Sequence, residues 1–370
     1  MLEYWKLSRK WAMVMERGFR QLIDESINRT KEICFRPISV KKWIWLTIIA
    51  MLAGQTIGGC NLNIPTSFRR AAIEQESRQP TAQVVLCAEK TAIPSQPPVP
   101  LAKRLTPVII VMFLFLGACG IFAFFLWIWL YSRFNFIFVN AVVNNNASVK
   151  QPFLENKTQG NSLFIWEALV SSGFLILLGV LVINAIAALN KAGLLGQGNE
   201  TDYLKLIAIL LPSLTMVITL VVMAMLMDFL LRDFLVPIMY KAKVGIIGGW
   251  RRFFSVFGRN KWNLFCYCIV KFGLGIVAAI ISAVCAVMIA LVVLIPIIIA
   301  GLILVFVYRL MGPGGKIIFI LCGMFFGIPL ALALVFFFNA LFIPIPVFFR
   351  VFSIKFLGSI DKSYELIPKS

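Results

Sequence analysis

Two ionisable side chains, Glu167 and Lys271, lie inside stretches that are otherwise apolar. Glu167 falls about one turn into a run that begins near Leu163. Lys271 falls about two turns, or ~12 Å, into a second run, from Asn263 to Tyr308, in which it is the single charged residue. A Lys or Asp at the centre of a membrane span costs ~2.5–3.5 kcal/mol on insertion scales and usually has a partner. Paired, Glu167 and Lys271 would make either a structural clamp or part of a polar path. Unpaired, each can snorkel to the interface along its own stem. Asp228 and Arg232, four residues apart, can pair on one helix face, with Asp233 beside them. Asn184 and Asn339 are placed to hydrogen-bond between helices.

Other chemistries are excluded by composition. The chain has no histidine, which removes histidine acid–base catalysis, Ser-His-Asp and Cys-His nucleophiles, and most zinc and haem ligation. No Walker A, GxSxG or HExxH sequence occurs. The sequence therefore offers no catalytic set, no metal site and no cofactor site. Of eight cysteines, Cys119, Cys266, Cys268, Cys285 and Cys322 fall in apolar runs as small hydrophobes. Cys60 and Cys87 share a loop and can bridge in an oxidising compartment. The small residues Ile57, Gly58 and Gly59 before Cys60 also fit a lipoprotein-type processing site.

The elements that must carry these residues are membrane helices. Hydrophobic residues make up 60% of the 370, charged residues only 14%, and mean hydropathy is +0.91; soluble domains carry about 25% charge. A span needs roughly 20 apolar residues to cross a ~30 Å hydrocarbon core. The runs predict an all-α polytopic transmembrane bundle of six spans, or seven. They fall at about 43–59, 107–131, 163–190, 204–231, 263–290 and 317–349. The 46-residue run from Asn263 to Tyr308 would be about 69 Å long as one helix, so it is expected to fold back, kink or re-enter near Pro296. Residues 61–106, rich in Pro, Ser and Gln, read as an extended loop outside the membrane.

Residues 1–42 form a basic arm in which Trp11, Met15, Phe19 and Leu22 share one helical face. It is expected to lie on the membrane or against the bundle. Residues 244–259 carry a second amphipathic helix. On it Trp250, Phe253, Phe254 and Phe257 fall on one side, and Arg251, Arg252 and Arg259 on the other. That pattern predicts a helix in the interface plane, rings down and guanidiniums among anionic headgroups. Residues 351–370 read as a tail.

Net charge is +19, and the bases cluster beside the spans, as headgroup contact requires; no nucleic-acid motif accompanies them. With the amino terminus inside, segments 1–42, 132–162 and 232–262 hold ten, three and seven bases, against six in 61–106 and one in 191–203. Twenty inside against seven outside predicts a cytoplasmic amino terminus. The carboxyl-terminal bases suit an inside tail and six spans, whereas Arg309 and Lys316 suit seven.

Several segments resemble a family of bacterial polytopic inner-membrane proteins known as a domain of unknown function. They are Phe35 to Trp43 (FRPISVKKW), Ser132 to Val143 (SRFNFIFVNAVV), Gly160 to Phe164 (GNSLF), Arg232 to Tyr240 (RDFLVPIMY), Trp250 to Phe254 (WRRFF) and Phe349 to Leu357 (FRVFSIKFL). The resemblance covers most of residues 33–365 in the same order. It implies an inner-membrane bundle with a cytoplasmic amino terminus, and no reaction. The functional expectation is a non-enzymatic accessory or scaffold subunit with a protein partner in the membrane. The alternatives are a transporter or channel for a small solute or lipid, and a membrane-embedded lipid enzyme.

Overall fold

The computed structural model describes residues 2–36, 39–55, 102–191, 203–258 and 260–367, and among them there is no strand. The chain divides into two units, one of residues 1–60 with 127–370 and one of residues 61–126. The described part of the second unit is the first half of helix α3 (Ala102–Asn144), an apolar rod whose side chains from Val111 to Leu116 are exposed. The first unit holds the remaining helices and the buried core.

Among the described residues, five helices are long and apolar enough to cross a membrane. They are α3, α5 (Lys157–Lys191), α6 (Tyr203–Leu230), α9 (Lys261–Leu310) and α10 (Pro313–Leu341). Helix α2 (Val40–Leu52), where the sequence suggests a first span over 43–59, has 13 residues, or about 20 Å. Its end is built by Gly54, which adopts the left-handed conformation (φ 64°). Gln55 N–H donates to Ala50 O (2.7 Å) and Gly54 N–H to Met51 O (3.0 Å). Those two bonds are a Schellman cap, which a Cβ at Gly54 would strain. Residues 56–59 lie outside the described part.

The apolar run around Pro296 does not fold back there. Helix α9 continues through Pro296 to Leu310, a length of 50 residues. A proline inside a helix removes one backbone bond and crowds the preceding turn, but neighbouring groups in membrane helices accommodate that loss. The chain reverses later, where Met311 and Gly312 are extended and Pro313 opens α10. Tyr308 and Phe319 pack their rings across this reversal at 5.8 Å.

The carboxyl-terminal segment is no loose tail. After α10, Pro344 starts α11 (Pro344–Ile360), and Val351, Phe352, Ile354 and Leu357 are fully buried. Around α11 pack the second half of α1 (Leu2–Phe35), α2, residues 134–142 of α3, the turn 231–235, α7 (Val236–Ala242), α8 (Ile246–Gly258) and the start of α9. The centre is aromatic: Tyr267 stacks on Phe356 (4.4 Å) and Phe352 (5.4 Å), and Phe234 meets Tyr267 (5.0 Å) and Phe257 (4.8 Å) edge-on. Such pairs add about 0.5–1.5 kcal/mol each beyond the area they bury. The amino-terminal arm lies against this body: Phe19 stacks on Phe356 and Glu25 accepts from Lys355 Nζ (2.6 Å). The side chains of Trp11 and Met15 lie outside the described part.

Cys34, at the end of α1, is fully buried, and burial pushes its thiol up to about 12. The thiolate is the nucleophile, so Cys34 is expected to stay unalkylated at pH 8 in the folded protein and to react on denaturation. Peptide mapping after iodoacetamide treatment reads this directly, and labelling of the native state at the rate of a free thiol would contradict the packing of α1.

Candidate functional site

Where α6 ends, one turn of π-helix, Leu231–Leu235, precedes α7. In it Val236 N–H bonds to Leu231 O, five residues back. Continuing that pattern, Arg232 O would need a donor from residue 237, which is proline and has none. Arg350 of α11 supplies it, its Nη1 donating to Arg232 O. Single π-turns inside longer helices frequently mark functional sites, and here the turn aims two consecutive charged residues into the body.

Arg232 serves one wall. Its Nε donates to Asp228 Oδ1 (2.7 Å) and its Nη1 to Gly54 O (2.6 Å). Asp228 Oδ1 also accepts from Tyr131 Oη (2.7 Å), and the Arg232 guanidinium lies over the Tyr131 ring, 5.2 Å from its centre. This is the four-residue pairing that the sequence spacing allows, extended to α3 and to the cap of α2. Asp233 serves the other wall. Its Oδ2 accepts from Tyr267 Oη (2.8 Å) and from Lys271 Nζ. Lys271 also lies over Phe229, 4.6 Å from the ring centre. Arg350 closes the site, its Nη2 donating to Asn135 Oδ1 (3.2 Å) while Asn135 Nδ2 donates to Tyr131 O (3.0 Å).

Lys271 is thus paired with Asp233 rather than with Glu167. Glu167 belongs to the first wall, within electrostatic reach of Tyr131, Asp228 and Arg232. Depth along two helices made Glu167 and Lys271 equal candidates, but the rotation of α9 turns Lys271 toward the π-turn. Three acids (Glu167, Asp228, Asp233) and three bases (Arg232, Lys271, Arg350) make the hub formally neutral when all are ionised.

The amphipathic helix α8 is seated differently from the sequence expectation. Phe253 and Phe257 are buried against Phe234, so these rings point into the protein and not into a bilayer. Trp250 is half-buried and stacks on Phe254, which is exposed, as are Arg251 and Arg252. Arg259, Cys60 and Cys87 lie outside the described residues. A helical wheel finds the apolar side of such a helix but does not say whether protein or lipid covers it.

Arg133 carried no signal in the sequence. Its side chain is buried, 6% exposed, between Trp129 and Phe153, with its guanidinium 4.9 and 4.6 Å from the two ring centres. Nη2 donates to Asn161 Oδ1 (2.7 Å). Gly160 makes the room, since a Cβ there would come within 3.1 Å of Arg133 Cγ.

A family model matches residues 20–367, nearly the whole body and all five long helices. The chain belongs to DUF7544, a family of unknown function. The resemblance seen in the sequence segments is therefore a family relationship. No curated protein and no solved structure matches the chain. Two of the matching segments, Arg232 to Tyr240 and Phe349 to Leu357, contain the π-turn and Arg350. The family resemblance was thus carried partly by the hub itself.

Proposed function

We propose that this chain is a non-enzymatic accessory or scaffold subunit of the bacterial inner membrane, multi-pass, with its amino terminus in the cytoplasm. The observation that carries this reading is the closure of the hub upon itself. Five of the hub's six charged groups, Asp228, Arg232, Asp233, Lys271 and Arg350, bond to groups of the same chain. A catalytic or ion-carrying constellation keeps a group free for its substrate; this one ties α2, α3, α6, α9 and α11 together.

Topology supports the same picture. Helices α1 and α11 pack on each other, joined by Lys355 and Glu25, which supports placing both on one side of the membrane with an even number of crossings. Five long helices are described, so an even number calls for one further crossing. The excess of bases in 1–42 and 232–262 supports the cytoplasm as that side.

Gentle extraction from native membranes, followed by mass spectrometry of what remains bound, tests the proposal. A stoichiometric protein partner is expected. A chain that emerges alone and moves a solute across reconstituted vesicles would replace this reading with the transporter alternative. That alternative draws on the prolines inside three long helices, Pro212, Pro296 and Pro329, each of which removes one backbone hydrogen bond within a span.

A further inference from the structure

Helix α8 is fixed to the body on one face, and that leaves a defined edge free. Its first amide, Ile246 N–H, donates to Ser162 Oγ of α5 (2.9 Å). Phe253 and Phe257 are locked against Phe234. At Gly249 a Cβ would come within 2.9 Å of Met239 Cγ, so α8 lies against α7 about as closely as a glycine permits. The helix therefore cannot roll to present Phe253 and Phe257 outward.

The free edge is apolar and bordered by charge. Ile247 is 76% exposed and Phe254 64%, and at 100° per residue they lie roughly 20° apart around the helix. Trp250 stacks on Phe254 (5.5 Å between centres, 23° between planes) and stiffens it. Arg251 follows roughly 40° beyond Ile247, then Ser255 and Arg252, all exposed. In the next helix Lys261, Trp262 and Phe265 are exposed, and the exposed apolar surface runs on through Ile269 and Phe272 into the longest span. Between residues 232 and 262 the one acid is Asp233, which is buried and spent on Tyr267 and Lys271. Nothing in the segment offsets the exposed bases.

We propose that the edge Ile247–Trp250–Phe254, with Arg251 and Arg252 on the same exposed side of α8, is a contact site for the headgroups of anionic phospholipids. Occupancy of the site stabilises the folded body. The apolar strip sinks to the acyl boundary while the guanidiniums stay with the phosphates. Because α8 reaches the hub through Phe253, Phe234 and Tyr267, holding the edge holds the ring cluster beside Asp233.

The test uses the full chain in nanodiscs of phosphatidylcholine alone and of phosphatidylcholine with phosphatidylglycerol. It reads the thermal unfolding midpoint and the lipids retained in native mass spectrometry. The wild type is expected to retain phosphatidylglycerol preferentially and to unfold at a higher temperature in its presence. Each base near an anionic surface favours it about fivefold. The double variant Arg251→Gln, Arg252→Gln should therefore lose about 25-fold of that preference, together with most of the midpoint difference. Its midpoint in phosphatidylcholine alone should be unchanged. Phe253→Ala, on the clamped face, should lower the midpoint in both lipids and leave the difference intact. An unaltered phosphatidylglycerol preference in the double variant would overturn the proposal. So would an equal loss of stability in both lipids, which would mean that the two arginines act within the protein.

Discussion

Replacing Asp233 with alanine is expected to destabilise the folded body by about 3–5 kcal/mol, the range found when one partner is removed from a buried ion pair. Two donors lose their acceptor at once, Tyr267 Oη and Lys271 Nζ, and the hub loses one of the negative charges that face its three bases. Burial decides the size of the effect. The Asp233 side chain is 9% exposed, against 34% for Asp228 in its pair with Arg232. Exposed pairs are worth about 0–1 kcal/mol, so the Asp228–Arg232 contact by itself contributes less. Asp233→Asn, which keeps an acceptor for Tyr267, should fall between wild type and alanine. Combining Asp233→Asn with Lys271→Met removes both charges and should recover much of the loss. Thermal unfolding of the purified chain in detergent, with monodispersity as a control, gives the comparison. A midpoint for Asp233→Ala indistinguishable from wild type would show that the pair does not hold the body.

Gly54→Ala is the second large effect. An alanine in the left-handed region costs about 1–2 kcal/mol on its own. Its Cβ would also stand 2.7 Å from Tyr131 Cε2, a ring atom of a residue held in place by its bond to Asp228. The ring must move, and losing a hydrogen bond to a charged group costs about 1.5–3 kcal/mol. A total of about 3–4 kcal/mol follows. Gly54→Ala with Tyr131→Leu separates the contributions, since the smaller residue relieves the clash while the backbone cost remains. If Gly54→Ala unfolds within a degree of wild type, the cap of α2 is not built as described.

Helix content and the apolar spans were plain in the sequence because length and composition determine them. The Asp228–Arg232 pair was legible for the same local reason: four residues on one helix always face each other. Asp233–Lys271 was not, because the two are 38 residues apart and their meeting depends on how α9 is rotated against the π-turn. Arg350 and Lys355 looked like interface bases at a chain end. Their setting among Phe349, Val351, Phe352, Ile354, Phe356 and Leu357 is what marks α11 as a core helix, and only the packing reveals it. Gly54 carried a usable signal, a glycine just past a helical run. Read as a capping residue, it ends α2 short of the 43–59 run. For α8 the periodicity found the apolar face, and the seating of Phe253 and Phe257 on Phe234 decided that protein covers most of it.

As a structural clamp, the hub would join helices distant in sequence. The most direct measurement is a double-mutant cycle between Asp233 and Lys271, using Asp233→Asn, Lys271→Met and the double variant in reconstituted membranes. A clamp predicts a coupling of about 2–3 kcal/mol, at the upper end for residues in one buried network. Additivity within about 0.3–0.5 kcal/mol, the behaviour of independent sites, would contradict it.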